Sequence, residues 1–126
     1  AIVGFGAAPG QPDSPAARAE RAAIARAIVA VFHGVEAVET VGTYQGESEP
    51  GILLHGGPCL KVALVIGRAL SQESVFCGFE RPDGSRGAAL LYCDGRPLVS
   101  LGDVYRGPSP DGDETTAGPF GTFHAR

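Results

Sequence analysis

Tyr44, Glu47 and Glu49 fall within six residues of one another, beside Gly42, Gly46 and Gly51. Two carboxylates held close together can split their pKa values and divide the work of general acid and general base. Flanking glycines let the backbone approach a partner closely. On a strand, residues at i and i+2 share a face; in a turn their relation stays open. Gln72 follows an expected helix that flanks the same strand segment, so it can meet the Glu47/Glu49 turn. These four residues, Tyr44, Glu47, Glu49 and Gln72, are the candidate binding set, and no residue is assigned as catalytic. The structural alternative is a solvated acidic turn, or a glutamate capping backbone amides, with Gln72 bonding orphan carbonyls at a helix end.

Other reactive groups give weaker patterns. Cys59, Cys77 and Cys93 have no CxxC spacing and no nearby histidine pair, so no metal site is expected. Their odd number fits reduced, packed thiols. His55 and Cys59 make a conceivable base and nucleophile, but no nucleophile motif surrounds them. Asp111-Gly-Asp-Glu114 opens like a calcium loop and lacks the later ligands and the closing glutamate. Gly4-Phe-Gly6 and Gly56-Gly57 match neither a dinucleotide nor a phosphate-loop pattern. No cofactor is implied.

The elements that must position these groups are readable from pattern. The chain has 126 residues, 44% apolar and 19% charged, enough for one domain that buries about two thirds of its unfolded surface. Net charge is −4, spread as +1 over residues 1–35, −3 over 36–75 and −2 over 76–126. That argues against a nucleic-acid partner, which calls for a basic face. No run approaches the ~18 to 20 apolar residues of a membrane span, so a soluble protein is expected, cytoplasmic or enclosed in a phage particle, with no membrane partner.

Ala1 to Gly6 reads as a short strand and Ala7 to Asp13 as a loop. Ser14-Pro15 starts a helix running to His33, with Gly34 as its C-cap. Ile24, Ile28, Val31, Phe32 and Val35 repeat at three- and four-residue steps and define its buried face, and Arg18, Arg21 and Arg26 lie mainly off it. A strand over Val35 to Thr43, the turn Tyr44 to Pro50 and a strand over Gly51 to His55 follow. Cys59 to Leu70 is a second helix, since Lys61 and Arg68, seven apart, then share one exposed stripe. Ser74 to Glu80 and Gly87 to Cys93 form a hairpin about Pro82-Asp83-Gly84, placing Cys77 opposite or diagonal to Cys93. Leu98 to Tyr105 is a last strand. The order β-α-β-β-α-β-β-β implies an α+β domain over residues 1–106, a mainly antiparallel sheet with two helices on one face. Residues 107–126 read as an extended, irregular C-terminal arm, about 60 Å long if stretched.

Four pieces resemble a family of small, uncharacterised bacterial and phage proteins, a domain of unknown function: Ala1 to Pro9, the helix about Arg18 and Arg21, Gly46 to Leu54 with Glu49-Pro50, and Ser71 to Phe76 with its Gln72-Glu73-Ser74-Val75-Phe76 pattern. The likeness covers residues 1–93. Relatives carry Trp and Asn before the first proline, where this chain has Phe5-Gly6-Ala7-Ala8-Pro9. The resemblance implies a bacterial or phage origin and no particular chemistry. The leading expectation is a non-enzymatic protein–protein interaction or structural accessory protein, part of a virion or host-directed complex, whose partners are other protein subunits. The competing expectation is a small enzyme or ligand-binding domain built on Tyr44, Glu47, Glu49 and Gln72.

Overall fold

The computed structural model describes residues 1–8 and 10–126; Pro9, part of the expected first loop and of the family resemblance, lies outside the described residues. The elements are β1 (Ile2–Gly4), α1 (Pro15–Val29), β2 (Glu36–Tyr44), β3 (Glu47–His55), α2 (Cys59–Ala69), β4 (Ser74–Glu80), β5 (Arg86–Tyr92), β6 (Val99–Arg106), β7 (Glu114–Thr116), a 3-10 turn (Gly118–Phe120) and β8 (Thr122–Ala125).

The strands close into an antiparallel barrel in the order β1-β3-β2-β7-β8-β6-β5-β4. This corrects the expected open α+β sheet. The supposed C-terminal arm supplies β7 and β8, which pair with β2 and β6 respectively and with each other. An open sheet would leave β2 and β6 as edges with unpaired backbone groups, and the last twenty residues satisfy both. The pairing is mutual at Asp103 and Arg126, whose amides donate to each other's carbonyls at 2.9 Å.

Directly opposed residues of neighbouring strands share a face, so register defines two sides. Val3 stands opposite Ile52. With Leu54 and Val75 they pack against Val62, Ala63, Ile66 and Leu70 of α2, Ala25 of α1, and Phe5. The helices lie outside the strands, because eight strands enclose only enough room for side chains. The other side is less deeply covered. There Val38, Leu53, Ile2, Phe76 and Leu90 form one half-buried apolar row across β2, β3, β1, β4 and β5. Smaller residues flank it, Gly4-Gly51-Thr40 and Gly78-Ala88-Gly102, which lets the ring close tightly.

Ser14 caps α1 by accepting from the Ala17 amide at 3.1 Å, and Pro15 opens the helix. The helix ends at Val29 rather than His33. Its rotation also departs from the pattern. Arg21 is buried, while Ile24 is 38% and Val31 75% exposed. The apolar period alone placed Ile24 inside; the hydrogen bonds of Arg21 described below turn the helix the other way. The three cysteines are free thiols. Cys77 stands opposite Ala89, and Cys93 lies past the end of β5, so the hairpin does not set the two thiols across from each other.

Because β8 seals the barrel, a chain ending at Gly107 should lose cooperative thermal unfolding, whereas removal of a free arm would leave it unchanged. Circular dichroism melts of the full and shortened chains decide this.

Candidate functional site

The four candidate residues divide into two groups. Tyr44 and Glu47 face each other across a two-residue turn. Gln45 and Gly46 have φ of 50° and 82°, the left-handed pair that a tight hairpin needs and that glycine supplies without strain. The expected seven-residue turn is therefore only Gln45-Gly46, and Glu47 and Glu49 already belong to β3, on one side of it. Tyr44 is 65% exposed. The Gln45 amide donates to Asp113 Oδ1 at 2.9 Å, bracing the hairpin tip against the β6–β7 loop.

Glu49 and Gln72 meet elsewhere, on the backbone of Gly6. The Gly6 amide donates to Glu49 Oε1 at 3.0 Å, and Gln72 Nε2 donates to the Gly6 carbonyl at 2.9 Å. The carboxylate of Glu49 occupies space that side chains at Gly4 and Gly6 would fill: a Cβ on Gly4 would lie 1.9 Å from Oε1, and one on Gly6 would lie 2.8 Å from Oε2. Glu49 is thus a glutamate capping a backbone amide, the structural alternative in its sequence reading.

Two further residues hold the same segment. Arg21 Nη1 donates to the Phe5 carbonyl at 3.0 Å, and its Nη2 donates to the Pro12 carbonyl. Arg18 clasps Asp13 through both carboxylate oxygens, at 2.7 and 3.1 Å. That hydrogen bonding holds the Asp13 carboxyl below its ordinary value. Phe5, Gly6, Pro12 and Asp13 are therefore tied to α1, β3 and the turn after α2. Arg21, Glu49 and Gln72, from three separate elements of the chain, converge on Phe5 and Gly6. Arg21 was missed as an anchor because the apolar period put Ile24, rather than Ala25, on the buried face.

Beside this segment runs a groove of about 380 Å³ between α1 and β2, floored by Phe5, Ala22, Val41 and Pro50. Arg18 and Glu39 line it, and each is ion-paired, to Asp13 and to Arg26. The groove therefore offers apolar surface between neutralised charges. Val41 within it is 51% exposed.

The remaining candidates take structural places. His55 Nε2 lies 3.3 Å from Glu36, and its ring meets Phe120 edge-on at 5.2 Å; Cys59 packs against the core. Asp111 accepts from the Ser109 hydroxyl and, at 3.0 Å, from the Asp113 amide. Among the described residues, no three His, Cys, Asp or Glu side chains are placed to hold a metal ion. No helix among them is long and apolar enough to cross a membrane. No protein-family model, curated protein or solved structure matches this chain.

Gly4→Ala should destabilise by pushing the Glu49 carboxylate off Gly6, and Glu49→Ala should cost about 1 kcal/mol. The double variant should recover part of the Gly4→Ala loss; a coupling of about 0.5 kcal/mol or more in chemical denaturation is expected. The lowered pKa of Asp13 carries its own sign. Its contribution is present above the ordinary value of 3.8 and is lost as pH falls through the lower folded value. Asp13→Asn should therefore lower the urea midpoint at about pH 6 and match the parent near pH 2.

Proposed function

We propose that this chain is a non-catalytic protein-interaction domain whose contact surface is the groove between α1 and β2. The groove carries the reading: an open apolar trough with a rim of paired charges is the make-up of an interface, with a dehydrated centre and polar border. The anchoring of Phe5 by Arg21 and of Arg18 by Asp13 supports it, since Phe5 and Arg18 are groove residues held in place before any partner arrives, which lowers the ordering cost of binding. The ordered C-terminal strands shift the contact from a draping arm to this face. The competing enzymatic reading requires Tyr44, Glu47, Glu49 and Gln72 to meet around one pocket. Glu49 and Gln72 are engaged on Gly6, away from the hairpin tip, and that reading draws no support.

Selection of random peptides on the immobilised protein tests the groove. Peptides enriched on the parent chain should carry a large apolar residue and should lose about tenfold or more in affinity for Ala22→Trp, which fills the trough. Enrichment of the same peptides on Ala22→Trp would defeat the assignment.

A further inference from the structure

We propose that the partner fitted by this face is a second copy of the chain, with the two α1 helices running parallel about a two-fold axis. The inference rests on the interaction reading above and names its partner. Arg21 and Ala25 point into the core, which leaves Ala23 at the centre of the outward side. Two such outward sides can approach to about 8 Å, because Ala16, Ala19, Ala23, Ala27 and Ala30 along the seam are small and exposed.

The flanks of that seam differ, and the difference sets the partner and its direction. One flank carries Glu20 and the protruding Ile24 and, just past the helix, Val31, the last two 38% and 75% exposed. The other carries Ala22, Arg26 and the groove. In an antiparallel two-fold pair centred on Ala23 each flank meets its own kind, so Glu20 lies beside Ile24 and Ala27 of the other copy, Arg26 lies beside Ala19 and Ala22, and neither charge meets an opposite one. In a parallel pair each flank meets the opposite one. Ile24 of one copy then stands beside Ala22 of the other, over the groove, and Glu20 approaches Arg26, twice by symmetry. Among the described residues Glu20 makes no ion pair in its own chain. Arg26 is joined to Glu39, and its five N–H donors leave capacity for a second carboxylate. A fifteen-residue helix is about 22 Å long. An interface confined to one such helix sits at the small end for stable pairs, so a weak, concentration-dependent dimer is expected.

Sedimentation velocity between about 5 μM and about 1 mM tests this. The parent chain should pass from monomer to dimer. Glu20→Arg, which turns both inter-helix attractions into repulsions, should weaken the dimer about tenfold. Combining it with Arg26→Glu and Glu39→Arg should restore the dimer, since the third change preserves the local pair. Direction is read by oxidation: Ala16→Cys and Ala30→Cys should each cross-link to itself, above the background of the three native thiols. A cross-link formed only when the two variants are mixed would mean antiparallel helices and would overturn the proposal. So would a parent chain that stays monomeric, or a dimer indifferent to Glu20→Arg. Thermal melts of each variant separate these outcomes from loss of fold. A monomeric parent leaves the groove reading to stand or fall on the peptide selection with Ala22→Trp.

Discussion

A buried guanidinium cannot be left without acceptors, and this structure is arranged around meeting that demand for Arg21. Removing a permanent positive charge from water is costly unless hydrogen bonds replace the lost hydration. The carbonyls of Phe5 and Pro12 supply them, and two consequences follow. Phe5 and Pro12 are drawn down onto the helix, and Glu49 and Gln72 secure the neighbouring Gly6. The helix itself is fixed in rotation, with Arg21 inward and Ile24 outward. The groove exists because of both, since Phe5 and Ala22 both belong to its lining.

Polar side chains bonding backbone do most of the positioning near this groove. Glu49, Gln72 and Arg21 each bond main-chain atoms, while the Arg18–Asp13 and Arg26–Glu39 pairs are surface ion pairs and weaker contributors. This division explains why residues with the look of chemistry in sequence form no reaction centre. A glutamate and a glutamine are as useful for holding a glycine amide and carbonyl as for moving protons, and only the geometry around Gly6 separates the two uses.

Local order was legible where chemistry is local. Ser14-Pro15 marks the start of α1 because its cap is a contact three residues long. The Pro82-Asp83-Gly84 turn marks the β4–β5 hairpin, and the spacing of Lys61 and Arg68 marks α2. Closure of the sheet was not legible. The strands that close it, β7 and β8, have three and four residues, too few for alternation to register against a turn-rich composition. The rotation of α1 was misread for the opposite reason: its apolar period is real, but a single arginine with two carbonyl acceptors outweighed Ile24. The order of elements brought Gln72 toward the Glu47/Glu49 turn, but not the shared hold on Gly6, which lies 43 residues from Glu49 and 66 from Gln72 in sequence.

The seams of the barrel are its briefest strands. β1 meets β4 at the single pair Ile2 and Phe76, and β7 meets β8 at only two pairs. The wide ladders, β2 with β3 and β4 with β5, are hairpins between sequence neighbours and form quickly. The ring is thus two sturdy hairpin plates joined by narrow hinges of backbone. Breathing of the native state is concentrated at those joints, with amide exchange fastest at both chain ends and slowest in the plates.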